Sequence, residues 1–200
     1  MGQIRVRVAA VDDAPAMGRV MVASFLSAHR GQMPDAALQE RQDEWTPEVS
    51  AAGWARALTG IADGNPDRDV ILVAENDEGP LGLVAGGGAE GGAIIGTTCE
   101  IGAQYVHPQH RGTGVGRALL RAAADRLADL GYSELHIGVL SANGPARVFY
   151  EAMGGREIGQ GIDDEEVYPL PLTIYGWADV TDLASVEEDS SPPTERTMRD

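Results

Sequence analysis

Between His110 and Leu120 the chain reads HRGTGVGRALL: an arginine, then Gly112, Gly114 and Gly116, then an apolar stripe of helical spacing. Those residue types in that order can hold a phosphate. Glycine lets backbone approach a ligand with no Cβ in the way. A helix start offers unpaired N–H groups and the positive end of its dipole to an anion. Arg111 and Arg117 add charge in a form that pairs with phosphate oxygens. Two nucleotide motifs fail the comparison. A P-loop needs a Lys and a hydroxyl residue at its end, and here Gly116 is followed by Arg117 and Ala118. The dinucleotide fingerprint GxGxxG has its last glycine position filled by Arg117.

The run resembles motif A of the GNAT superfamily of acyl-CoA-dependent N-acyltransferases, (Q/R)-x-x-G-x-(G/A), matched by Arg111, Gly114 and Gly116. Upstream, EIGAQYV ends in Tyr105-Val106-His107-Pro108, similar to that family's L-Y-V-x-P strand end. Downstream, NGPARVFYEAMGG (Asn143–Gly155) looks like its N-x-x-A-x-x-F-Y-E-x-x-G-F helix. The resemblance covers Ile4 to Trp177, with specific motifs only from Glu100 onward. It departs from the pattern at His110, where glutamine is common, and at Gly155, where the family has an aromatic residue.

This resemblance implies an N-acetyltransferase that moves the acetyl group of its co-substrate acetyl-CoA to a primary amine by direct attack, with no metal. A non-catalytic acyl-CoA-binding module is the alternative. Acyl transfer to an amine needs a donor for the oxyanion, an acid for the departing thiolate and a base for the amine. The family implies the backbone N–H of Val106 as the oxyanion donor and Tyr150 as the acid. Ala146, Phe149, Tyr150 and Met153 also share one helical stripe, so Tyr150 equally fits a core position. Glu100 is the candidate base. Period-two alternation faces it to the same side as Gln104 and Val106, and a bulge would reverse that. His107 and His136 are weaker candidates for the base. Arg111, Gly112, Thr113, Gly114, Gly116 and Arg117 would hold the pyrophosphate, and the Tyr105-Val106 backbone the pantetheine. Asn143 either bonds that arm or caps the helix that Pro145 opens.

The elements that must position these residues are legible from periodicity. Ile4, Val6 and Val8 alternate with arginines as a strand, and Asp12-Asp13 opens a helix to about Ala28. Helical stretches follow over 35–43 and from Thr46-Pro47-Glu48 through Trp54 and Leu58, and residues 60–69 read as a loop. Val70–Ala74 and Leu81–Ala85 form a hairpin, glycines 86–92 loosen its end, and Thr98–Val106 is the next strand. A helix from Val115 leads to the strand Leu135–Val139, parallel to Thr98–Val106 by a right-handed crossover. A last helix and the strands 156–162 and 167–177 complete a mixed, mainly antiparallel α/β sheet flanked by helices. The resemblance implies that its central parallel pair splays apart.

At 200 residues and 43% hydrophobic, the chain can bury one core, expected over residues 1–178, with 179–200 an acidic tail. A formal net charge of −16 argues against a nucleic-acid partner. The single cysteine, Cys99, excludes an internal disulfide and a multi-Cys zinc site. No run is apolar enough for a membrane span, and MGQIRVRV lacks a signal-peptide core, so a cytoplasmic enzyme is expected. A homodimer stays open. The preferred acceptor is a small-molecule amine, with Asp35, Glu40, Asp43 and Glu44 as acidic neighbours of the cleft that would attract a cation. A peptide or protein amine is the second choice. Trp45 and Trp54 are assigned to core packing.

Overall fold

The computed structural model describes residues 2–62, 70–88, 99–163 and 169–183. Seven strands, β1 (Arg5–Val8), β2 (Val70–Asn76), β3 (Gly79–Gly88), β4 (Cys99–Val106), β5 (Leu135–Leu140), β6 (Arg156–Asp163) and β7 (Leu170–Trp177), lie in the order β1-β2-β3-β4-β5-β7-β6. Every neighbouring pair is antiparallel except β4 and β5. Helix α4 (Val115–Asp129) forms the crossover between those two, as a parallel connection requires. The other helices are α1 (Ala14–His29), α2 (Asp35–Glu44), α3 (Pro47–Ala62) and α5 (Gly144–Ala152).

Helices cover both faces of the sheet, so the central strands read as continuous apolar runs. Val70, Leu72 and Ala74 of β2 join Leu119, Leu120, Ala123 and Leu127 of α4 in one buried cluster, which also takes Tyr150 of α5 and Met153 just past its end. The alternate residues Ile71 and Val73 join Met17 and Val20 of α1 and Trp54 and Leu58 of α3 in a second. Helix α3 continues past Gly60 to Ala62 because Ile61 packs on this second cluster.

The strand β3 runs on to Gly88, where loosening was expected after Ala85. The reason lies in β4. Ala85 pairs with Ala103 and Gly86 with Ile101, which leaves Gly102 as a bulge. At that point a Cβ on Gly86 would lie 2.5 Å from the Glu100 carbonyl oxygen, so only glycine permits the approach. Residues 89–98, which include the rest of the glycine cluster, lie outside the described residues.

The parallel pair is in register only at Cys99 with Leu135 and Glu100 with His136, although the two strands continue to Val106 and Leu140. A bulge bends the strand that carries it, and β4 leaves β5 where its bulge begins. The packed chain extends past the boundary expected at residue 178. A short helical turn, Val180–Leu183, buries both of its end residues in the first cluster, and the Val180 N–H bonds the Ser133 carbonyl. Residues 184–200, the greater part of the expected tail, lie outside the described residues.

Candidate active site

A cavity of ≈ 1060 Å³ opens where β4 and β5 part. The N–H of His107 donates to the Leu81 carbonyl at 2.9 Å. By strand alternation the N–H and C=O of Val106 therefore point away from β3, into the opening. The carbonyl accepts from the Ser24 hydroxyl at 2.9 Å, which ties the end of β4 to α1. Tyr105 and Val106 both line the cavity.

At the start of α4, Gly114 is the N-cap with φ +90°, and Gly112 has φ +74°. Both lie in the left-handed region that side chains with a Cβ rarely adopt. A Cβ at either would meet nothing within 4 Å, so the space beside both glycines is open. Gly112, Gly114, Gly116, Arg111 and Arg117 all line the cavity. Thr113 does not: its hydroxyl turns back to the His110 carbonyl at 2.7 Å and closes the loop. The Arg111 guanidinium reaches α1, donating to Ser27 Oγ at 3.0 Å and the Ser24 carbonyl at 3.4 Å.

Tyr150 is buried at the cavity wall among Phe149, Tyr175 and Trp177. Its hydroxyl donates to Gln104 Oε1 at 3.2 Å, and Gln104 Nε2 donates to the Gly116 carbonyl at 2.9 Å. Gln104 thus links the phenol to the first turn of α4. Burial pushes ionisation of the phenol well above its usual range, and Tyr105 adds to the shift. The group is a neutral O–H throughout the physiological range. Asn143 lines the cavity while its Oδ1 caps α5 through the Ala146 N–H at 3.3 Å. The capping role and a place at the cavity coexist, since only the carbonyl end of the amide is engaged in the cap.

Glu100 corrects the alternation expected from sequence. Because the bulge at Gly102 inserts one residue, Cys99 and Ile101 pack beneath α4, whereas Ala103 and Tyr105 pack beneath α1 and α3. Glu100 consequently faces the α1 side with Ala103, opposite to Gln104 and Val106. It lines the cavity from there, with its Oε2 3.7 Å from His136 Nε2. His107 and His136 are not among the lining residues.

The wall formed by α1 and α2 also differs from expectation. Asp35, Glu40, Asp43 and Glu44 are exposed on α2 and do not line the cavity. The helix presents Arg41 instead, followed by Trp45, facing Phe25 and His29 of α1. Trp54 is a core residue, as read from sequence, and its indole N–H meets Met21 Sδ at 3.2 Å. Trp45 is half-buried and lines the cavity. The signal that could have found this wall is the i, i+4 pairing of Phe25 with His29 and of Arg41 with Trp45, which puts each pair on one helix face. Among the described residues no group of three or more His, Cys, Asp or Glu could hold a metal ion, and no helix is long and apolar enough to cross a membrane.

This sheet, with one parallel pair parted beside a glycine-capped helix start, is the architecture that the motifs' resemblance implies. The acetyltransferase (GNAT) family matches residues 29–155, and the chain belongs to that family of acyl-CoA-dependent N-acetyltransferases. It is 25% identical over 190 residues to the uncharacterized N-acetyltransferase YuaI of Bacillus subtilis (strain 168), covering 92% of this chain and 98% of that one. The fold is shared with PaiA N-acetyltransferase from Thermoplasma acidophilum, solved in complex with coenzyme A. The TM-score is 0.60 at 17% identity, with 86% of this chain and 98% of that one covered. It is shared also with YncA from Salmonella typhimurium, solved with its cofactor acetyl-CoA, at TM-score 0.59 and 20% identity, with 96% and 98% covered.

Proposed function

We propose that this domain transfers the acetyl group of acetyl-CoA to the amine of a small molecule, by direct attack across the gap between β4 and β5. The observation that carries the reading is that one cavity joins an open, glycine-capped helix start, an outward Val106 N–H, a buried neutral phenol and a carboxylate on the opposite face of the sheet. In this reading the N–H groups of the Gly112–Gly116 loop, with Arg111 and Arg117, hold the pyrophosphate. Thr113 shapes the loop from behind. The pantetheine follows the Tyr105-Val106 backbone, with Asn143 beside it.

The bulge divides the chemistry between two sides. From the α1 side Glu100 accepts a proton from the amine, directly or through a water, as nitrogen attacks the thioester carbon. The Val106 N–H stabilises the oxygen that becomes anionic. The C–S bond breaks, and from the α5 side Tyr150 gives its proton to the departing thiolate and regains one from solvent. The base thus reaches the attacking nitrogen and the acid the departing sulfur from opposite faces of the sheet, so neither quenches the other directly.

The test is release of the CoA thiol from acetyl-CoA by the purified protein against a panel of small amines, polyamines and peptides. Small amines are expected to support turnover. Glu100→Gln should lose most of it near neutral pH and recover at high pH, where free amine is abundant. Acetyl-CoA binding without thiol release for any amine would make the protein a binding module, and turnover with peptides alone would overturn the small-molecule reading.

A further inference from the structure

Gln104 of β4 touches both the proposed acid and the helix start that would hold the cofactor. Its Oε1 accepts from the Tyr150 hydroxyl at 3.2 Å, and its Nε2 donates to the Gly116 carbonyl at 2.9 Å. The direction of both bonds is fixed by the chemistry of their ends. A backbone carbonyl can only accept, so the amide nitrogen must face Gly116, and a half-turn of the amide would set two oxygens against each other. That leaves Oε1, which also only accepts, towards Tyr150, so the single hydroxyl hydrogen of the phenol lies on Gln104. The anchors are themselves held. The backbone of Gln104 pairs with Val84 in the sheet. Gly116 sits between Val106 and Phe149, since a Cβ on it would stand 3.6 and 3.5 Å from their side chains. The Tyr150 ring packs edge-on to Phe149 and Trp177. Packing fixes the ring but does not choose where its hydroxyl hydrogen points, and Gln104 makes that choice.

We infer that Gln104 is a positioning residue for acyl transfer: it sets the phenol oxygen and its hydrogen in a fixed relation to the α4 turn on which the cofactor is held. It acts through Tyr150. The inference rests on the acyl-transfer reading above and adds the group that gives the acid its register. Acid and cofactor then share one frame, so a sulfur placed by the helix start meets the phenol at a set distance. As the C–S bond breaks, the sulfur becomes a charged and therefore stronger acceptor than Oε1. The O–H bond breaks, the S–H bond forms, and a proton from solvent returns the phenolate to its neutral form. A group at position 104 must donate at one end and accept at the other. Glutamine does so at every pH, a protonated glutamic acid does so equally, and a carboxylate cannot.

The experiment compares wild type, Gln104→Met and Gln104→Glu, each with and without Tyr150→Phe. Gln104→Met keeps the length and lacks the amide, and should lower kcat about 10-fold with the acetyl-CoA Kd nearly unchanged. In the Tyr150→Phe background the same substitution should have no further effect, because the group it acts through is gone. Gln104→Glu should approach the wild-type kcat at low pH and fall away from it as pH rises and the carboxyl ionises. Dividing by the wild-type rate at each pH removes the titration of the amine. Two other ionisable groups bear on the phenol, Tyr105 of β4 and Tyr175 of β7, and both are phenols that stay neutral where a carboxyl titrates. In parallel, NMR of protein labelled with carbon-13 at the tyrosine Cζ, with the Tyr150 signal assigned through Tyr150→Phe, needs no turnover. That signal should move in Gln104→Met and follow pH in Gln104→Glu. A signal indifferent to both substitutions, additive losses in the double variants, or a rate ratio that pH does not change overturns the role of Gln104 and leaves acyl transfer intact. A loss of acetyl-CoA affinity equal to the loss of kcat does the same, making Gln104 a support of the helix start alone. A Tyr150 signal that follows pH in Gln104→Glu, while wild type releases no thiol with any amine, keeps the hydrogen-bonded link and overturns acyl transfer.

Discussion

Replacing Tyr150 with phenylalanine removes one oxygen and keeps a ring packed 5.1 Å from Phe149, 6.0 Å from Tyr175 and 6.3 Å from Trp177. The structural loss is one neutral hydrogen bond, to Gln104 Oε1 at 3.2 Å, worth about 0.5–1.5 kcal/mol. Gln104 stays anchored through its amide nitrogen on the Gly116 carbonyl, so the α4 start should hold its shape. For a domain of this size that predicts a fall in Tm of about 2–4 °C per kcal/mol. The catalytic loss is larger. Without a positioned donor, the thiolate must leave as an anion or find a proton in solvent, and kcat should fall by about 10²-fold, or ~2.7 kcal/mol of barrier. Thiol-release kinetics give kcat, calorimetry gives the acetyl-CoA Kd, and a thermal melt gives the structural share. Because burial raises the phenol's ionisation above its usual range, wild-type kcat should also show no alkaline decline near pH 10 from this group. A Tyr150→Phe enzyme of wild-type kcat would refute the acid role and leave Tyr150 a core residue. A fall in acetyl-CoA affinity as large as the fall in kcat would show that the hydroxyl acts by holding the α4 turn.

Gly114→Ala forces a side chain into φ +90°, at a cost of about 1–2 kcal/mol, and puts a methyl in the open space before α4. Its acetyl-CoA Kd, measured where the variant is still folded, should rise at least ~10-fold; unchanged affinity would make the loop only a helix start. Far from the cavity, Asp13 accepts two hydrogen bonds from Arg7, at 2.7 and 2.8 Å, and one from the Ala10 N–H. The Arg7 guanidinium holds that carboxyl below its usual range, so its stabilisation is full above about pH 4 and is lost as pH falls through the lower folded value. Asp13→Asn should therefore destabilise the fold by about 1–2 kcal/mol at pH 7, with the two melting curves converging in acid. A difference that persists at low pH would assign the effect to packing.

What could be read from the chain followed from strong periodicity. The stripe of α4, the glycines before it and the Tyr150 helix all have a fixed spacing that tertiary contacts reinforce. Glu100 was misplaced by one face because period-two alternation assumes an unbroken ladder. The interruption had a local sign in Gly102, a lone glycine inside a strand, next to the Ile101 that pairs with Gly86. The acceptor wall was harder. Its charge came out reversed because the four carboxylates of α2 outnumber Arg41, and composition does not say which side of a polar helix faces a cavity. That side is set by Arg41 resting on Trp45 and Phe25, and Phe25 belongs to a different helix.

Gly155, where the family pattern has an aromatic, sits against another aromatic ring. A Cβ there would lie 2.7 Å from the Trp177 indole, whose N–H bonds the Met153 carbonyl at 2.9 Å. The space beside Gly155 is filled from β7, by a tryptophan 22 positions later. The two positions are therefore sterically coupled. An aromatic at 155 is unacceptable while Trp177 is present, and a small residue at 177 opens a hollow while Gly155 is present. A lineage passing between the two solutions must cross an intermediate that is either overfilled or void, and a relative carrying one exchange should carry the other.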